Sequence, residues 1–198
     1  MTAEVVIVDS GGANLASLQF ALERAGARSY IAREPKDLTS ASHVVLPGVG
    51  AASHAMERLR SAGLASTLSL LRQPVLGICL GMQLLFSESE EGPTDCLGLI
   101  PDTVRRLHSA PGRPVPHMGW NQVSAVRDDP LTEGLGYDPY AYFAHSYAAP
   151  VDDWTVARTD YGQPFSAVVR KGNFCGTQFH PERSGIAGAT LLLNFLRL

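Results

Sequence analysis

Val75-Leu76-Gly77-Ile78-Cys79-Leu80-Gly81-Met82-Gln83-Leu84-Leu85-Phe86, set behind Pro74, decides the fold. Its first residues are a short apolar run bounded by proline, which reads as a buried strand. Met82, Leu84, Leu85 and Phe86 read as a helix packed on its apolar side. Between them stands Gly-x-Cys-x-Gly. A residue at a tight strand-to-helix turn is lifted out of the sheet, often into a strained conformation, and glycines two before and two after it remove the Cβ atoms that would collide. The pattern is a nucleophile elbow carrying cysteine, with a helix start aimed at the sulfur that favours thiolate. The competing reading is a buried structural cysteine on a glycine-rich turn.

Outward from the elbow, the N-terminal half alternates strands and helices. Val5 to Val8 is apolar and ends at Asp9-Ser10-Gly11-Gly12, as a buried parallel strand does before a loop. Asn14 is placed to start a helix through Leu15, Leu18, Ala21, Leu22 and Ala25, closed by Gly26, and Arg28 to Ala32 reads as a second strand. That is a βαβ unit and predicts a parallel sheet. Gly11-Gly12 lacks the G-x-G-x-x-G spacing of a dinucleotide site and reads as a plain turn. His43 to Leu46 is a third strand, running into Pro47-Gly48-Val49-Gly50. Its bare backbone N–H groups fall at the carboxyl edge where open α/β sheets bind ligands, which makes the Val49–Gly50 peptide a candidate oxyanion donor. Helical patterns fill 51–72 with a break near Gly63.

After the elbow helix, Ser87 to Gly92 is acidic and reads as a loop. Short β-prone pieces follow as far as Phe179, separated by proline, glycine and aspartate as in antiparallel additions. The chain closes on a helix between Ser184 and Leu198. The expected class is α/β: an open, mainly parallel sheet with helices on both faces, flavodoxin-like, with antiparallel strands added in the second half. Residues 1–198 read as a single domain.

Composition narrows the function. A chain of 198 residues with 45% hydrophobic content can bury a real core. A formal net charge of −3 gives no reason to propose nucleic acid or an anionic membrane as partner. Three widely spaced cysteines with no C-x-x-C pair argue against a disulfide framework and a zinc site, and suit a reducing cytosol. The N-terminal segment has no basic n-region, and its apolar run is too short for a signal peptide or a membrane span. No metal and no cofactor is expected.

The second chemical stretch is Gly176-Thr177-Gln178-Phe179-His180-Pro181-Glu182. Residues two apart in an extended segment project to one side, so Glu182 is expected beside the His180 ring, fixing its tautomer while the other ring nitrogen faces a thiol. Cysteine, histidine and an acid are then available for acyl transfer. His43, His54 and His108 read as structural.

These two stretches together resemble the class I (triad) glutamine amidotransferases. Gly11-Gly12-Ala13-Asn14-Leu15, Pro116-His117-Met118-Gly119-Trp120-Asn121 and Phe143-Ala144-His145-Ser146-Tyr147 narrow the resemblance to the glutaminase subunits of imidazole glycerol phosphate synthase, in histidine biosynthesis. The resemblance implies that Cys79 attacks the side-chain amide of L-glutamine, His180 shuttles the proton and Glu182 orients His180. It further implies that the N–H groups of Gly50 and Leu80 hold the oxyanion, and that Gln83 and Glu91 bind the amino-acid head. The ammonia would pass to a separate cyclase subunit built as a (β/α)8 barrel. That partner converts a phosphoribulosyl aminoimidazole carboxamide ribotide (PRFAR) to imidazole glycerol phosphate and an aminoimidazole carboxamide ribotide (AICAR). A barrel of about 250 residues has no room in this chain, so a heterodimer is implied, with Asn14, Trp120, Tyr142 and Arg183 at the interface. Arg183 stands where the family usually has lysine. The nearest rival is the glutaminase of anthranilate or aminodeoxychorismate synthase, which favours histidine at the position of Met82 and lacks the His-Met-Gly-Trp-Asn stretch. A regulatory domain of the same fold, or a stand-alone cysteine hydrolase, fits the complete triad or the glutamine-binding positions less well.

Overall fold

The computed structural model describes residues 3–12 and 14–198; Met1, Thr2 and Ala13, the last within the Gly-Gly-Ala-Asn-Leu stretch, lie outside the described residues. The first half alternates as β1 (Glu4–Ile7), α1 (Leu15–Arg24), β2 (Arg28–Ile31), α2 (Pro35–Ser40), β3 (His43–Gly48), α3 (Ala52–Ser61), α4 (Leu64–Leu70) and β4 (Val75–Cys79). A single helical turn, α5 (Leu80–Gln83), leads to β5 (Phe86–Ser89), β6 (Thr94–Asp95), β7 (Ile100–Arg106), β8 (His117–Gln122) and β9 (Ser124–Ala125). Then come β10 (Tyr140–His145), β11 (Tyr147–Ala148), β12 (Thr155–Asp160), β13 (Pro164–Lys171), β14 (Phe174–Thr177) and the closing helix α6 (Gly185–Phe195).

The main sheet has eight strands in the order β2-β1-β3-β4-β14-β13-β12-β9. It is parallel from β2 through β14 and antiparallel beyond. Side chains alternate across it. Val5, Ile7, Val45, Leu76 and Ile78 pack with Leu18 and Leu22 of α1 and Leu192 and Phe195 of α6. Val6, Val44, Leu46 and Val75 face Leu38 of α2, Met56 and Leu59 of α3, and Leu68 of α4. Continuous apolar runs such as Val5 to Val8 therefore serve two helical layers at once. Among the described residues no helix is long and apolar enough to cross a membrane.

Three local expectations need correction. The apolar run after the elbow does not stay helical. Phe86 opens β5, fully buried and paired with Ile100 of β7, where Met82, Leu85 and Phe86 join a third apolar cluster under a four-stranded sheet (β11-β7-β5-β6). Burial against that sheet outweighs the helical periodicity, and much of the acidic segment thereby becomes strand. α2 is an addition to the expected elements; Glu34 and Asp37 cap it reciprocally, with Pro35 in its first turn. Finally, Pro181–Arg183 is a 3-10 turn and not extended chain.

Candidate active site

Parallel strands end on the same edge, so the loops after β1, β3, β4 and β14 all open together. Gly48 of β3 is in register with Cys79 at the end of β4, which places Val49 and Gly50 just beyond the thiol. On the other side of β4, Thr177 pairs with Ile78, and the chain runs three residues further to His180. Three segments remote in sequence are thus delivered to one point by strand pairing alone.

The elbow has the strain and crowding expected of it. Cys79 sits at φ +53°, in the left-handed region that side chains rarely occupy. A Cβ on Gly77 would stand 2.6 Å from the Gly81 carbonyl oxygen, and one on Gly81 would run into the Leu46 carbonyl oxygen of the neighbouring strand. Only glycine lets the chain reverse so close to β3. Because α5 has a single turn, its macrodipole is small, and the groups offered to the site are the first free N–H groups of that turn, Leu80 foremost. The thiol lies 3.8 Å from the Ala144 carbonyl oxygen, and Gln178 Nε2 points at it from 3.8 Å.

The His180 ring is near enough to the Cys79 thiol to interact with it, and its Nδ1 is 2.9 Å from Glu182 Oε1. The 3-10 turn at Pro181, and not strand alternation, swings the carboxylate back onto the ring. Burial works against a charged imidazole here, but the hydrogen bonds to Cys79 and Glu182 outweigh it and hold the His180 pKa up at about 10. Glu182 Oε2 is buried with no hydrogen-bond partner among the described residues.

Cys79 opens into a cavity of about 290 Å3 whose lining includes Val49, Gly50, Leu80, Gln83 and Glu91. Gly50 is at φ +90° with open space around its Cα, and Ser10 Oγ donates to the Pro47 carbonyl at 2.6 Å, anchoring the base of that strap. Gln83 Nε2 donates to the Tyr147 carbonyl at 2.7 Å and to Gln178 Oε1 at 3.0 Å, so its own Oε1 is what remains to offer. Glu91 Oε2 accepts from the Ala52 N–H at 2.9 Å, at the N-terminus of α3, leaving Oε1 for a ligand. The cavity is thereby supplied with two acceptors suited to an ammonium group.

The structure adds residues to which sequence reasoning assigns no role. Pro116, Met118, Ala144, His145, Ser146 and Tyr147 line the same cavity. Gln178 is fully buried between Gln83 and the thiol. A polar residue beside His-Pro-Glu is the available signal for Gln178; the others fall in the 116–121 and 143–147 stretches that carry the resemblance, where no residue type or spacing marks a role.

The four candidate interface residues are not one patch of equal parts. Trp120 and Tyr142 are cross-strand partners in the two-stranded β8–β10 sheet, with ring centroids 6.1 Å apart. The Arg183 guanidinium lies over the Tyr142 ring at 4.3 Å. Trp120 is 56% exposed, with Met118 and Tyr140 open on the same face. Asn14 stands apart at the start of α1, its Oδ1 accepting from the Ser17 N–H at 3.1 Å as an N-cap. It shares a small hollow with His180 and Glu182.

A sequence model of the family "Glutamine amidotransferase class-I" matches residues 6–197. The chain is 53% identical over 195 residues to the imidazole glycerol phosphate synthase subunit HisH of Xanthomonas campestris, covering 98% of each chain. It is 50% identical to the protein of the same name from Xylella fastidiosa, again over 98% of each. Among solved structures, PurLQS from Thermotoga maritima superimposes with a TM-score of 0.74 over 100% of this chain and 99% of its own. At 20% identity, that likeness concerns the fold.

Proposed function

The chain belongs to the class-I glutamine amidotransferases, and from that premise we propose that it is the glutaminase subunit of an imidazole glycerol phosphate synthase, a single amidotransferase domain acting in the cytoplasm. The observation that carries the chemistry is the Cys79 thiol beside a His180 ring that is held by the Glu182 carboxylate, next to a cavity furnished with Gln83 and Glu91.

The thiolate adds to the γ-amide carbon of L-glutamine, and the developing oxyanion is taken by the N–H groups of Leu80 and Gly50. The imidazolium of His180 gives its proton to the amide nitrogen, so that ammonia departs and a γ-glutamyl thioester remains. Neutral His180 then removes a proton from water, which cleaves the thioester; the product acid loses its proton to solvent as glutamate, and the thiolate–imidazolium pair is restored. Glu182 keeps the ring in the required tautomer throughout. Gln83 Oε1 and Glu91 Oε1 hold the α-ammonium, which fixes where the amide lies relative to sulfur.

The exposed face carrying Met118, Trp120, Tyr140 and Tyr142 borders this cavity, and Met118 belongs to both. Aromatic side chains and arginine are favoured anchors at protein interfaces, so this face and Arg183 are where a cyclase barrel would dock and receive the ammonia. The test is glutamine turnover by the chain alone, with a cognate cyclase, and with cyclase plus its nucleotide ligand. Turnover that rises across the three supports the reading, and equal rates would remove activation of the glutaminase by the cyclase. Failure to rescue a histidine auxotroph lacking its own glutaminase would remove the assignment.

A further inference from the structure

The β8–β10 sheet has a second face, turned inward. Strand alternation that leaves Met118, Trp120, Tyr140 and Tyr142 outward sends His117, Phe143 and His145 into the core. The two histidines are almost fully buried, at 3% and 6% exposure, and His117 is stacked on Tyr161 with centroids 4.0 Å apart. His117 Nδ1 lies 3.1 Å from His145 Nε2. His145 Nδ1 lies 2.8 Å from the Tyr147 carbonyl, and His117 Nε2 lies 3.4 Å from Asn121 Nδ2.

These contacts admit only one arrangement of protons for a neutral pair. A carbonyl only accepts, so His145 must donate from Nδ1 and accept at Nε2. His117 must then donate from Nδ1 and accept at Nε2 from the Asn121 amide. Burial pushes the His117 pKa down to about 4 and that of His145 down to about 3, so both rings carry one proton at neutral pH. The direction of the chain is therefore fixed: Asn121 to His117 to His145 to the Tyr147 carbonyl.

That carbonyl is the same one to which Gln83 donates. Its two lone pairs are used by His145 and Gln83, and Gln83 directs its remaining N–H at Gln178, which points at the thiol. Resting on the glutaminase reading above, we infer that His117 and His145 are positioning residues. Their hydrogen-bond chain fixes the Tyr147 carbonyl, and through it holds the Gln83 amide with its oxygen toward the substrate's ammonium. Without the chain the Tyr147 carbonyl loses its fixed position, the Gln83 amide that donates to it shifts with it, and the Gln83 oxygen no longer meets the ammonium at the required place. The damage falls on substrate binding more than on the bond-breaking step.

The test uses the complex with a cognate cyclase and compares His117→Leu with His117→Asn. Asparagine places an N–H donor close to the position of Nδ1, whereas leucine fills the space with no donor. The expected result is a KM for glutamine raised roughly tenfold in His117→Leu with kcat within about threefold, and a KM largely restored in His117→Asn. A KM unmoved by leucine, or equal damage in both variants, overturns the role while leaving the glutaminase reading intact. A wild-type complex that does not turn over glutamine overturns that reading itself. Nitrogen NMR of the wild-type histidine rings is independent of turnover: Nδ1–H tautomers at both positions support the chain, and an Nε2–H or doubly protonated His145 overturns it.

Discussion

The elbow and the two-stranded sheet opposite it form the two sides of one cavity but are held in different ways. At the elbow the backbone sets the geometry: Cys79 stands at positive φ, and Gly77 and Gly81 approach carbonyls so closely that no side chain fits. The β8–β10 sheet is separate from the main sheet and is held by a few backbone bonds, such as His180 N–H to the Tyr142 carbonyl, together with side chains, histidines, Phe143 and Asn121 beneath and Trp120 and Tyr142 above. The nucleophile therefore rests on backbone crowding at the turn and against the neighbouring strand β3, while the wall that meets the substrate and the partner depends more on side-chain contacts, which single substitutions remove.

The sharpest break of this contrast is Cys79→Ala, expected to lower glutamine turnover of the complex by about 10⁴-fold or more while the thermal midpoint barely moves; residual turnover within tenfold of wild type would remove the thioester. Next, Gly81→Ala forces a Cβ onto the Leu46 carbonyl, with an expected loss of about 3–5 kcal/mol in chemical denaturation. No comparable loss is expected from single changes on the outer face of β8–β10.

Glu182→Gln leaves the ring a weaker partner, and turnover is expected to fall about a hundredfold to ten-thousandfold. The same change should lower the His180 pKa below its value of about 10, readable by NMR titration. Because the folded-state pKa is raised above the ordinary histidine value, this contribution to stability is fully present below about pH 6.5 and is lost as pH rises through about 10. The stability gap between wild type and Glu182→Gln should accordingly narrow toward high pH, and a gap that widens there contradicts the sign. The smallest effect is expected from Trp120→Ala, with affinity for the cyclase weakened by about 2 kcal/mol, roughly thirtyfold, and the isolated chain's midpoint unchanged. A complex of unaltered affinity would move the docking face elsewhere.

How legible each part is in the sequence follows from the range of its constraints. The βαβ start, the Asn14 cap, the break at Gly63 and the elbow are set by neighbours a few residues apart, and the structure has each of them. Phe86 escapes a reading by pattern because periodicity records which residues are apolar, not which of two sheets or helices will cover them. The His180–Glu182 contact is present, but strand alternation is the wrong local reason for it, since a 3-10 turn brings the two together. The short helix at Pro35 offers only a reciprocal cap in six residues as its signal.

By itself the sequence determined a parallel α/β sheet, a cysteine raised at a strand end, and a histidine and glutamate two residues apart to serve it. Only the tertiary structure decided what faces that cysteine. Gln83 meets Gln178 across a separation of 95 residues and the Tyr147 carbonyl across 64, and His117 meets His145 across 28. Steric exclusion at a tight turn is written into adjacent residues. A hydrogen bond between remote residues exists only once strand order and register have brought both ends to the same edge of the sheet.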